Sequence, residues 1–281
     1  MFQILRVFRK CIWLYGFSLA LVGSVDCASA KPFKTLYEFA GGSDGATPVS
    51  DLIADQSGNL YGTAEIWGDG SDGIVFKLAA GHVLTVLHAF GGGSDDGAYP
   101  FDGLISNRNG DLFGTTSEGG VHDSGTVFKL ANDGAETVLY SFAGATDGET
   151  PYAGVIADKN GDLFGTTSGG GATGSGTIFK VTPAGVETVL YSFMSGSDGS
   201  NPYAGLIADK RGNLYGTTVN GGASGFGTVF KVAPNGSETV LHSFNGSSDG
   251  ANPYARLLLG RNGDLYGTAY GGGTGGYGTV F

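Results

Sequence analysis

The chain has 281 residues and a formal charge of −11, with 26 acidic side chains against 15 basic ones. So acidic a surface argues against nucleic acid and anionic membrane as partners, because both are negatively charged. Glycine occurs 54 times, which without periodicity would mean low complexity. Here the glycines recur at fixed places between strand formers, and that excludes disorder.

In chain order, residues 1–30 read as a secretory signal peptide. Arg6, Arg9 and Lys10 form a positive n-region, residues 11–22 are a short apolar run, and Ala28-Ser29-Ala30 supplies a small-x-small cleavage site. The apolar run is too short to span a bilayer. Asp26 before Cys27 is not the small residue that a lipoprotein site prefers. Both cysteines, Cys11 and Cys27, fall in this segment. The mature chain would therefore lack disulfides and depend on its core, even in an oxidising compartment. Removal of three basic residues and one acidic residue with the leader moves the formal charge to −13.

The rest of the chain is a tandem repeat. A glycine that opens a G-[ND]-L-[YF]-G-T phrase recurs at Gly58, Gly110, Gly161, Gly212 and Gly263, with spacings of 52, 51, 51 and 51 residues. A period of this size marks a repeat architecture. One unit contains four runs of strand length, at residues 151–158, 162–167, 176–181 and 187–193. Gly, Asn, Asp or Pro punctuates every join. No stretch after residue 30 has an apolar period suited to a helix. Four antiparallel strands in about fifty residues make one β-propeller blade; a parallel β-helix is the structural alternative. In residues 136–142, Val138, Tyr140 and Phe142 are expected on one face and Leu139 on the other, so both faces are apolar, as a sheet between neighbouring blades requires.

The expected fold is thus all-β, a propeller with blades at about 47–90, 99–142, 150–193, 201–244 and 252–281. The lone run at residues 34–39 (KTLYEF) would pair with the last run, residues 278–281, and close a five-bladed ring without a free edge. The competing expectation is a fragment of a larger propeller, since the chain stops within a strand at Phe281.

These phrases resemble a known family. The runs G-[ND]-L-[YF]-G-T-[TA], G-T-[VI]-F-K, E-T-V-L-[YH]-S-F and DG-x-x-P-Y-A-G-L-I-A-D are similar to those of the GloVer tandem-repeat proteins, over nearly all of residues 33–281. The resemblance implies a bacterial secreted repeat protein, with a propeller fold and no assigned activity or catalytic residues. It also implies a C-terminal anchoring or sorting segment, which this sequence does not show.

Candidate chemistry must be separated from repeat chemistry. An Asp-Gly pair precedes the first strand of each unit, at Asp44, Asp96, Asp147, Asp198 and Asp249. A ring of carboxylates could hold Ca²⁺ or sugar hydroxyls, but turn chemistry also selects Asp-Gly, and repetition in every unit favours the turn. Asp55, Asp158 and Asp209 are read the same way. The glycine-rich loops lack the Lys-Ser/Thr and the helix of a P-loop. No HxxxH or HExxH spacing suggests zinc, and no G-x-S-x-G elbow is present.

Function is better sought where the repeat breaks. The channel-lining positions of successive blades read Ser50-Asp51, Asp102-Gly103, Ala153-Gly154, Ala204-Gly205 and Ala255-Arg256. Asp51, Asp102 and Arg256 are expected to form one charged cluster, either an ion pair that closes the ring or a polar ligand site. In the loop EIWGDGSD, Trp67 stands where unit two has Gly119; with Glu65 beside it, it is read either as a carbohydrate platform or as a half-buried loop tryptophan without a ligand. The expectation is a secreted or cell-surface binding or structural module, monomeric, with a polysaccharide or cell-surface glycan as partner. No cofactor is expected, Ca²⁺ being the one ion weakly suggested. The alternative is a propeller enzyme of glycosidase, lactonase or lyase type, with its site at the channel mouth.

Overall fold

A computed structural model describes residues 33–70 and 72–281; the expected signal peptide lies outside them. Residues 36–281 form one compact unit. Four four-stranded antiparallel sheets follow one another. Unit one holds strands Ile53–Ala54, Leu60–Ala64, Ile74–Leu78 and Leu84–Ala89. Unit two holds Ile105–Ser106, Leu112–Thr116, Thr126–Leu130 and Glu136–Ser141. Unit three holds Ile156–Ala157, Leu163–Thr167, Thr177–Val181 and Glu187–Ser192. Unit four repeats the pattern with Ile207–Ala208, Leu214–Thr218, Thr228–Val232 and Glu238–Ser243. Unit five is assigned as two short pairs, Leu258–Leu259 with Leu265–Tyr266 and Thr268–Ala269 with Thr279–Val280. No α-helix occurs among the described residues, and none there could cross a membrane. The architecture is a β-propeller.

Each position of the repeated phrase has a packing reason. In "LFGTT" of unit three, Leu163 enters the core between units two and three. Gly165 lies opposite Phe179, and a Cβ there would stand 2.4 Å from the Phe179 ring. The glycine is the space that the phenylalanine fills. Thr166 Oγ1 donates to the Ala204 carbonyl of the next unit at 3.2 Å; Thr63 and Thr115 make the same bond to Asp102 and Ala153, and Thr217 donates to Pro253, two residues before the equivalent position. Thr167 and Thr177 share a buried hydroxyl–hydroxyl bond at 2.8 Å. The phenylalanine directly after the fourth strand of one unit meets a phenylalanine of the next edge to face: Phe90 with Phe128, Phe142 with Phe179, Phe193 with Phe230 and Phe244 with Phe281. The core is therefore a chain of apolar seams between sheets, as a propeller requires.

Three details differ from the expectations. The first strands are only two residues long, and the residues before them run irregularly along the axis. The approach of one such segment to the next is closest in unit three, where a Cβ on Gly154 would lie 2.6 Å from the Gly103 carbonyl. The residue before each proline (Thr47, Tyr99, Thr150, Asn201, Asn252) also turns there with φ of 53–58°. Second, Leu139 does not point away from Tyr140 and Phe142. A bulge between Val138 and Tyr140 breaks the alternation, and Leu139 packs on the same seam as its neighbours.

Third, the ring-closing strand does not form. Among the described residues no strand covers 34–39 and none pairs with Thr279–Val280 on its outer side, so Val280 is 83% exposed. Residues 36–39 are held instead from the unit-one side. Phe39 packs on Phe76 at 5.3 Å, and Tyr37 donates to Asp44 at 2.8 Å. They imitate a fourth strand in packing but not in backbone pairing.

Candidate functional site

The inner segments of all five units line one cavity of about 260 Å³, to which they contribute Asp51, Asp102, Gly154, Gly205 and Arg256. The three charged residues singled out in the sequence are thus brought together. Arg256 Nη2 lies 3.6 Å from Asp51 Oδ2, with the two side chains 56% and 83% exposed. An ion pair so open to water contributes little stability and can exchange its partners for a ligand. Asp102 is fixed more firmly, because the amides of Gly103 and Gly154 donate to its two oxygens at 2.6 and 2.7 Å.

Above this channel opens a mouth of about 210 Å³, and here an unexpected feature stands. Phe101, Tyr152, Tyr203 and Tyr254 line it together with Asp51, Asp102 and Arg256. Their rings touch in succession at 5.4, 5.1 and 5.7 Å, and Tyr270 extends the arc against Tyr254 at 5.8 Å. Four consecutive units each supply one aromatic residue directly after the proline, and Val49 holds that position in unit one. Sequence reasoning passed over this position as part of a strand. The available signal was the aromatic after each of four prolines, one step before the channel-lining pair.

Trp67 and Glu65 line neither cavity. Trp67 is 51% exposed and has φ of 65°, where units two to five have glycine at φ of 68–79°. Its ring lies over Gly41. Glu65 is occupied through its backbone, which pairs with Thr47 at 3.1 Å. The loops that carry these residues do emerge on one end: in each unit the segment entering the first strand bridges to the loop between the second and third strands.

The Asp-Gly carboxylates are engaged locally. Asp44, Asp147 and Asp198 accept from Tyr37, Tyr140 and Tyr191. Asp96 and Asp249 bond His88 and His242 instead, at 3.1 and 2.9 Å. Each also accepts a backbone amide of its own loop. Asp55, Asp158 and Asp209 likewise cap the amides of the following turn. The bond from the Asn213 side chain, joined by the turn amides and Tyr215, outweighs the cost of burial and holds the Asp209 carboxyl down to about 2.

The seams hold a second set of carboxyls that the sequence did not reveal. Glu136, Glu187 and Glu238 open the fourth strands, and each has one oxygen buried without a hydrogen-bond partner. Burial pushes Glu187 and Glu238 up to about 7, with the nearby charges of Asp147 and Asp198 acting in the same direction. Burial also raises the Tyr140 and Tyr191 hydroxyls well above the usual range, reinforced by their bonds to those aspartates.

Sheets arrayed around a common lined axis and joined by apolar seams define the class as a β-propeller repeat protein. The pattern of the Gloeobacter/Verrucomicrobia repeat matches residues 24–160 and 132–281. The chain belongs to that family. No curated protein sequence matches it. Among solved structures, the extracellular domain described for a hybrid two-component system of B. thetaiotaomicron is similar, with a TM-score of 0.53 and 10% identity over 82% of this chain and 27% of that one. A protein described as a gluconolactonase aligns with a TM-score of 0.49 and 12% identity over 80% and 73% of the two chains. A glucose dehydrogenase gives 0.47 and 14% over 81% and 80%. At such identities the likeness concerns the fold alone.

Proposed function

We propose that this is a secreted carbohydrate-binding propeller, and that its binding site is the channel mouth. The observation that carries the reading is the aromatic arc of Phe101, Tyr152, Tyr203 and Tyr254 set over Asp51, Asp102 and Arg256. A sugar ring has apolar C–H faces and a polar rim. Aromatic plates take the faces, while carboxylates and a guanidinium bond the hydroxyls. The mouth, at about 210 Å³, is smaller than the roughly 300–1,000 Å³ of pockets that enclose drug-sized ligands. It suits a terminal sugar unit better than the interior of a long chain. Secretion rests on the leader-like residues 1–30 and on the family resemblance.

Binding is favoured over catalysis by the state of the carboxylates. Both Asp102 oxygens already accept amides, and Asp51 faces a guanidinium, so neither is arranged as an acid or base beside a partner of opposite role. A glycan array probed with the full chain tests the reading. Binding to a subset of glycans is expected, weakened at least tenfold by Tyr203→Ala and by Arg256→Ala and unaffected by Trp67→Gly. Absence of binding to any glycan would overturn it.

A further inference from the structure

The seam between units one and two departs from the repeat in two ways at one place. At the next two seams a tyrosine hydroxyl, Tyr140 or Tyr191, donates to an aspartate seven residues further on. At the first seam His88 stands in the tyrosine's place, and the loop is one residue longer, so that its partner Asp96 follows by eight. This extra residue accounts for the single 52-residue spacing. His242 replaces the tyrosine in unit four without any lengthening of the loop.

Glu136, from the fourth strand of unit two, completes a trio. A ring nitrogen of His88 and one carboxylate oxygen each of Asp96 and Glu136 lie within 4.8 Å of one another. Among the described residues no other set of three His, Cys, Asp or Glu side chains comes together in this way. His88 Nε2 and Asp96 Oδ1 are 3.1 Å apart, and both side chains are 21% exposed, which leaves a path for a small ion. Glu136 Oε1 is buried and has no hydrogen-bond partner. A buried carboxylate oxygen close to a second carboxylate requires a proton or a cation. At the tyrosine seams no imidazole is present, and a proton suffices.

We propose that His88, Asp96 and Glu136 bind a divalent transition-metal ion of the Zn²⁺ type, with water completing its coordination. One imidazole nitrogen and two carboxylate oxygens form a mixed donor set that Zn²⁺ accepts at about 2.0–2.2 Å. Ca²⁺ and Mg²⁺ prefer oxygen donors throughout. The amides of Gly91 and Gly97 donate to Asp96 at 2.8 Å each and so fix the orientation of one ligand from behind. The ion would link the fourth strands of two units across their seam. No local zinc spacing exists in the sequence, because two ligands flank a loop and the third comes from the following repeat.

Calorimetric titration of ZnCl₂ into the tag-free chain tests this, with melting curves alongside. One Zn²⁺ per chain and a raised melting temperature are expected. His88→Tyr restores the residue of units two and three and should fold while it weakens binding at least tenfold. Glu136→Gln should weaken binding to a similar degree and decides the matter if His88→Tyr does not fold. His242→Tyr should leave binding unchanged. Absence of saturable binding below about 1 mM Zn²⁺, or unchanged binding in Glu136→Gln, would overturn the proposal.

Discussion

At the scale of single residues, glycine and tryptophan show how closely identity is tied to place. Gly165 gives the Phe179 ring its volume, and the equivalent glycines 114, 216 and 267 do the same for Phe128, Phe230 and Phe281. Gly165→Ala should cost about 1–3 kcal/mol, the usual cost of overpacking a tight core, and urea denaturation would read it as a lower midpoint at constant slope. A change below about 0.5 kcal/mol would show that the ring can move aside. Trp67 presents the reverse case. Its left-handed backbone stores roughly 1–3 kcal/mol of strain, partly offset by the cover its indole gives to Gly41. Trp67→Gly, the residue of the other units, should leave stability within about 1 kcal/mol. A larger loss on thermal unfolding would show the indole to be a structural wedge.

At the scale of elements, much was legible in advance. The 51-residue period, the four runs per unit and the glycine punctuation identified propeller sheets, because each repeated residue has one packing task in every copy. The grouping of Asp51, Asp102 and Arg256 was also readable, since residues at equivalent positions must meet around an axis. The aromatic arc was not, because Tyr152 and Tyr203 in a PYAG phrase look like ordinary strand formers until the two-residue inner strands turn them to the mouth. Nor was the backbone bulge at Leu139, which a strict period of two conceals. The seam carboxyls were hidden for a different reason: Glu187 and Asp147 lie 40 residues apart, and their proximity arises only when one sheet packs on the next.

Those carboxyls act on the whole molecule, because they sit in the seams that join its sheets. The folded-state values of Glu187 and Glu238 are raised to about 7, so the folded chain holds protons that the unfolded chain releases at lower pH. Their favourable contribution is complete below the unfolded value near 4.5 and is lost as pH rises through about 7. The melting temperature should therefore fall between pH 5 and 8. With solvent screening, roughly 1 kcal/mol per seam corresponds to about 2–4 °C each. Glu187→Gln with Glu238→Gln should flatten that slope, and a melting temperature that rises across the window would contradict the burial of these groups.

The central claim is that the repeats build the scaffold and that their departures at the axis build a sugar site. Unit three carries the unmodified pattern at this place, Ala153-Gly154, which supplies a symmetrised variant: Asp51→Gly, Asp102→Ala and Arg256→Gly together. This variant keeps the sheets, the seams and the aromatic arc, and removes the charged floor of the mouth together with the bonds from the Gly103 and Gly154 amides to Asp102. Titrated calorimetrically against the glycan that the unaltered chain binds most strongly, it should remain folded and lose binding by a factor of about one hundred, close to 3 kcal/mol. Unchanged affinity in a folded symmetrised chain would contradict the claim.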